Sequence, residues 1–283
     1  MNNIKTAYFG SSEFSVLVLG ELKSRGWVPD LIVTTPDKPR GRKLVITPNE
    51  TKVWAHENNI PVISPASIKT PEFLTEIQGY DLHLVASYGK IIPDDVLNAP
   101  KFGELNIHPS LLPKYRGSCP IQTAILNDDK ETGLTIMKLD HDMDHGPIVA
   151  QEKINIPDWP ISFNELAIRM SKLGAEMFLK VLPDWTSSVI KAVEQNHDQA
   201  TYTKKIEKTD GEINLNDDAR KNYLKILAYS DWPNTYFFVE AQGKKIRLIV
   251  KEAKLENDKL VLLRVIPEGK KEMSYEDFLR GIK

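Results

Sequence analysis

Ile4-Lys5-Thr6-Ala7-Tyr8-Phe9-Gly10-Ser11-Ser12-Glu13-Phe14 is the stretch on which the fold turns. Six residues suited to a short strand stop at Gly10. Apolar positions then recur at helical spacing through Phe14, Val16, Leu17, Leu19 and Leu22, as far as Gly26. Residues 28–33 have the composition of a second strand. Further along, the alternation predicts a helix over 51–59, a strand over 61–63, a helix over 71–78 and a buried strand over 82–86. A strand over 105–108 ends at Pro109, and a long helix spans about 162–182. Strands separated by helices make βαβ units, so the first two thirds of the chain predict an α/β domain. Its sheet is parallel, with right-handed crossovers.

From about residue 202 the grammar changes. A helix over 217–228 precedes strands at 235–239, 245–250 and 259–265, rich in β-branched residues and separated by turns at Gln242-Gly243 and Asn257-Asp258. This reads as a small β-rich second domain. The polar run Glu194-Gln195-Asn196-His197-Asp198-Gln199 reads as the connector. The expected boundaries are 1–190 for the first domain, 191–203 for the linker and 204–283 for the second.

Composition narrows the class. Among 283 residues, 41% are hydrophobic, too many for a disordered chain. One cysteine, Cys119, excludes an internal disulfide and a cysteine-rich metal site. No apolar run reaches the ~18 residues of a membrane span, and Met1-Asn2-Asn3-Ile4-Lys5 leads into a strand rather than a signal-peptide core. The expectation is a soluble cytoplasmic monomer with no membrane partner. The net charge of -2 hides a division: residues 204–283 hold 17 basic and 14 acidic side chains, and residues 1–203 hold 20 and 25. Within the acidic part, Lys38-Pro39-Arg40-Gly41-Arg42-Lys43 places four cations in six positions. That is either a solvated surface run or a phosphate-gripping loop kept out of regular structure by Gly41 and two prolines.

Three motifs carry candidate chemistry. In Asn106-Ile107-His108-Pro109-Ser110, strand periodicity turns Asn106 and His108 to one face, at the carboxyl end of a parallel sheet where α/β sites gather. An amide donor beside an imidazole suits acyl transfer, the amide stabilising an oxyanion and the imidazole moving a proton. Taken alone, the pair reads more readily as a polar closure of the strand than as a site. His141-Asp142-Met143-Asp144-His145-Gly146 offers metal-ligand types, but Gly146 and Pro147 argue for a loop without helical spacing. The turn Gly10-Ser11-Ser12-Glu13-Phe14 matches neither a dinucleotide fingerprint nor a Walker loop, which argues against either nucleotide as cofactor.

Asn106-Ile107-His108-Pro109-Ser110-Leu111-Leu112-Pro113-Lys114-Tyr115-Arg116-Gly117, with Asp144-x-Gly146 further on, resembles the signature of the folate-dependent formyltransferases. Tyr88-Gly89-Lys90-Ile91-Ile92-Pro93, Pro36-Asp37-Lys38-Pro39, the run at 131–137 and the near-terminal run at 267–281 extend the likeness along nearly the whole chain. The resemblance implies a Rossmann-like catalytic domain followed by a shortened OB-like β-barrel, with the loss falling roughly between residues 250 and 260. It implies Asn106, His108 and Asp144 as the catalytic triad, and no metal. It implies 10-formyltetrahydrofolate as formyl donor, lying along Tyr88, Gly89, Ser110, Leu111, Leu112 and Pro113. It also implies contact of Lys38, Arg40, Arg42 and Lys43 with the acceptor stem of an initiator tRNA carrying methionine, whose amino group is formylated. A sugar-nucleotide amine is the competing acceptor. This sequence departs from the family at His145, beside the aspartate, and at Asp231 and Asn234, where Pro and Gly usually flank Trp232-Pro233.

Overall fold

The computed structural model describes residues 4–41, 44–241 and 243–282. Arg42 and Lys43 of the basic loop, Gln242 of one turn and the opening Met1-Asn2-Asn3 lie outside the described residues. The chain divides into two compact units. One comprises the residues up to Ser118, Thr132–Ile154 and Ala167–Thr203. The other comprises Cys119–Glu131, Asn155–Leu166 and the residues from Lys204 onward.

The elements of the first part are β1 (Thr6–Phe9), α1 (Glu13–Ser24), β2 (Leu31–Val33), β3 (Lys38–Arg40), β4 (Val45–Thr47) and α2 (Glu50–Glu57). There follow β5 (Val62–Ile63), α3 (Pro71–Ile77), β6 (Leu82–Val85), α4 (Asp94–Leu97), β7 (Glu104–His108), α5 (Pro120–Leu126), β8 (Thr132–Lys138), β9 (Ile148–Ile154) and α6 (Phe163–Thr186). Local chemistry starts the helices. Ser12, Asn49 and Thr70 each precede a helix, and each side chain accepts a main-chain N–H from the first turn.

The main sheet runs β5-β2-β1-β6-β7-β8-β9. The strand order reverses at β1, which has β2 on one side and β6 on the other, so a crevice opens beyond its carboxyl end. One face buries Ala7, Phe9, Leu31, Val33 and Val85 against Phe73 and Ile77 of α3 and Val96 and Leu97 of α4. The first five strands are parallel. β8 and β9 are antiparallel, which the βαβ reading did not anticipate. β9 exposes Gln151, Glu152 and Lys153, and an antiparallel edge tolerates water where a parallel strand needs cover on both faces.

The basic loop also differs from expectation. Lys38, Pro39 and Arg40 pair with Thr47, Ile46 and Val45 as a two-stranded antiparallel ribbon. Pro39 is compatible with it because both strands are edges. Leu44, Val45 and Ile46 are exposed beside the cations.

In the second unit, α7 (Ala219–Ala228) precedes β10 (Thr235–Ala241), β11 (Lys244–Glu256), β12 (Lys259–Pro267), β13 (Met273–Ser274) and α8 (Tyr275–Ile282). The strands form an antiparallel sheet in that order. Its core gathers Ile213, Ile226, Phe237, Leu248, Val250, Val265 and Phe278. Where the sequence places the shortening, β11 continues to Glu256 with a register shift near Glu252. It then turns through Asn257 and Asp258, both left-handed at φ 49° and 60°, which is the pattern of a tight primed hairpin turn. Asn234 occupies φ 65°, a left-handed position that suits glycine and, after it, asparagine.

Candidate active site

Asn106 and His108 lie on β7, whose five residues are all buried. They share a face, next to Val85 of β6 on one side and Met137 and Thr135 of β8 on the other. Asp144 comes from the loop between β8 and β9. Its Oδ1 lies 3.5 Å from Asn106 Nδ2 and 3.5 Å from His108 Nδ1. Its Oδ2 accepts the Gly117 N–H at 2.7 Å. Gly117 has φ 112°, and a Cβ there would lie 2.5 Å from Thr203 Oγ1, so this donor requires glycine.

The second ring nitrogen of His108 is 3.0 Å from the carbonyl oxygen of Tyr115. A carbonyl only accepts, so Nε2 carries a hydrogen and Nδ1 faces Asp144. Asp144, 38 residues beyond Asn106, therefore meets Asn106 and His108 at a strand end, 3.5 Å from each.

The segment expected to meet the folate follows directly. Ser110 and Leu112 are buried, Leu111 and Pro113 half-buried. Thr135 Oγ1 donates to Ser110 O at 2.7 Å and accepts the Leu112 N–H at 3.1 Å. Gln151 Nε2 donates to Leu112 O at 2.8 Å and to the same hydroxyl at 2.9 Å. Sequence reasoning missed Thr135 and Gln151, although a hydroxyl amid the buried run Leu134-Thr135-Ile136 was the available signal. Tyr88 sends its ring into the core, edge-on to Phe9 at 5.4 Å. Its carbonyl accepts from Ser11 Oγ at 2.7 Å. A pocket of about 200 Å³ beside it is lined by Ser11, Thr35, Lys38, Asn49, Tyr88 and Gly89, among others, and so joins one predicted cation to the predicted folate strip. Burial and then the nearby charge of Lys38 hold the Lys90 ammonium below its ordinary value.

The candidate metal cluster disperses. His141 turns to Asp94 at 3.2 Å and His145 to Asp140 at 2.7 Å. Among the described residues no group of three His, Cys, Asp or Glu is arranged around a common ion. No described helix is long and apolar enough to cross a membrane.

An amide, an imidazole and a carboxylate within mutual reach, beyond the parallel strands of a doubly wound sheet, suit the transfer of a small acyl group to an amine. Two family models match: "Formyl transferase" over residues 3–182 and "Formyl transferase, C-terminal domain" over residues 205–259, and the chain belongs to that family. Within it, the chain is similar to curated proteins named methionyl-tRNA formyltransferase. The one from Dictyoglomus thermophilum is 36% identical over 307 residues, covering 99% of this chain and 97% of its own. The one from a Thermotoga species is 39% identical over 238 residues, covering 83% and 76%. The solved structure of methionyl-tRNA formyltransferase from Clostridium thermocellum superposes with a TM-score of 0.64 at 17% identity, covering 96% of this chain and 99% of that one, which speaks for the fold.

Proposed function

We propose that the protein transfers the formyl group of 10-formyltetrahydrofolate to the free amino group of methionine carried on initiator tRNA. The observation that carries this reading is the meeting of Asn106, His108 and Asp144, in a chain that matches relatives of that name over nearly its whole length. The amine attacks the formyl carbon, a C–N bond forms, and the carbonyl oxygen becomes an oxyanion. Asn106 donates to that oxyanion, and His108 helps to stabilise it. Asp144 orients His108 and takes part in moving the proton from the attacking amine to the departing N10 as the old C–N bond breaks. Much of the acceleration comes from holding two substrates together.

The donor lies along Tyr88-Gly89 and residues 110–113, a strip that Thr135 and Gln151 hold rigid. The catalytic domain spans 1–190, and residues 204–283 form the domain that helps hold tRNA. The ribbon carrying Lys38 and Arg40, together with Arg42 and Lys43 of the same basic run, meets the acceptor stem. The enzyme works as a cytoplasmic monomer.

The test supplies labelled formyl donor with charged initiator tRNA in one reaction and with an amino-sugar nucleotide in another. Formyl-methionyl-tRNA is the expected product, and formylation of the sugar alone would sink the reading. Replacing Arg40, Arg42 and Lys43 by Ala raises KM for tRNA and flattens its dependence on salt, because fewer phosphate contacts release fewer counterions. A salt dependence equal to that of the unmodified protein would remove the ribbon from the interface.

A further inference from the structure

Arg116 is the largest of the fully buried side chains. A buried guanidinium is costly unless its donors are used. Here Nε and Nη2 donate to Gln195 Oε1 at 3.2 and 2.7 Å, and Nη2 also to His197 Nδ1 at 2.9 Å. Nη1 reaches Tyr202 Oη at 3.3 Å. The segment after the long helix is therefore anchored inside the first unit, and Gln195 is only 5% exposed.

The other end of Gln195 is the informative one. Its Nε2 donates to Asp144 O at 2.9 Å and to Gly146 O at 2.7 Å. Asp144 has φ 51°, a left-handed conformation that costs a non-glycine residue roughly 1 kcal/mol and needs support. Gly146 lets the loop press on β8, since a Cβ there would lie 2.1 Å from Lys138 O. His145, between them, stacks flat on His197 with centroids 4.0 Å apart and planes 3° apart. So the Gly117 N–H holds the carboxylate of Asp144, while the Gln195 amide holds its carbonyl.

We propose that Gln195 is a positioning residue for formyl transfer: gripped by Arg116, it fixes the loop that aims Asp144 at Asn106 and His108. This rests on the function proposed above. Asp144 makes both contacts at 3.5 Å, so a small displacement of its loop removes them.

The decisive variant is Gln195→Glu, compared with Gln195→Ala. The glutamate keeps the size and still accepts from Arg116, but it donates nothing to the two carbonyls. With charged tRNA and formyl donor, Gln195→Glu is expected to lose ~10- to 100-fold in kcat, the scale of a misplaced catalytic group. Both KM values should stay within about twofold of wild type, with Tm lowered but the protein fully folded at the assay temperature. Near-normal kcat in Gln195→Glu alongside a loss in Gln195→Ala would mean that Gln195 serves only to satisfy Arg116, and would overturn the proposal. So would a loss that follows the unfolded fraction, or one confined to KM. An unmodified protein that formylates no tRNA would instead defeat the functional reading, so the two failures are distinguishable.

Discussion

Two histidine–carboxylate pairs each place one member on β7, Glu104 and His108, four residues apart on one face of that strand. His108 and Asp144 lie at the strand end, 3.5 Å apart, with the Gly117 N–H on the carboxylate and the Tyr115 carbonyl on the far ring nitrogen. His83 and Glu104 lie deeper, directly opposite one another and fully buried at 3.8 Å. Among the described residues no hydrogen-bond partner reaches either ring nitrogen of His83 or either carboxyl oxygen of Glu104. Burial pushes the Glu104 carboxyl up, and His83, 3.8 Å away, opposes that rise. Burial, then the charge of Glu104, likewise pushes the Tyr88 phenol up to about 12. The same residue types thus make the proposed reactive site where loops supply fixed partners, and a cost to folding where only core surrounds them.

The sharpest way to break this contrast is to disable each pair. Asn106→Ala or Asp144→Ala should cut kcat by ~100-fold or more with folding retained, the cost of losing one oxyanion donor or its support. His83→Leu should leave turnover within a few-fold. Equal effects on rate would erase the distinction.

Next in size is the support of the donor strip. Thr135→Val should raise KM for the folate donor and lower stability by about 1–3 kcal/mol, because one hydroxyl serves Ser110, Leu112 and Gln151. Denaturant unfolding and donor titration measure the two effects, and a change in neither would mean the strip needs no staple.

For the buried pair, the sign follows from Glu104. Its folded value lies above the ordinary 4.5, so its contribution to stability is complete below that pH. That contribution is lost as pH rises through the folded value. Glu104→Gln should therefore flatten the decline in stability that sets in as pH rises above 4.5, and raise stability at neutral pH. An unchanged pH slope would contradict the assignment.

The smallest effect belongs to a third pair, partly exposed on the second unit. The Arg220 guanidinium holds the Asp128 carboxyl below its ordinary value, with Trp159 Nε1 donating to the same group. Both side chains are well solvated, so Arg220→Ala should cost under ~1 kcal/mol. A larger loss in a urea titration would move this pair out of the solvated class.

Much of the architecture was legible because local signals agreed. The helical spacing from Phe14 to Leu22 marked the first helix, and the alternation of strand and helix signals from Ile4 to His108 marked the parallel strands. The antiparallel pairing of β8 and β9 was not legible, because a run such as 132–138 is equally apolar in either direction. The ribbon at 38–47 was hidden by prolines that an edge strand accepts. Residues 191–203 look like a polar connector, yet Gln195 is buried, because its polarity is used on Arg116 and the Asp144 loop rather than on water.

By itself, the sequence determined the α/β grammar, the smaller β-rich second part and the motif that runs from Asn106 to Gly117 with Asp144 beyond it. These are matters of periodicity and of residue types at close spacing. Only the tertiary structure decided which titratable groups meet. It brought Asp144 across 38 residues to Asn106, left the Glu104 carboxyl without a hydrogen-bond partner among the described residues two positions before Asn106, and drew Gln195 back to the site. The reason is physical: a side chain's chemistry depends on its desolvation and on its fixed partners, and both are properties of packing in three dimensions.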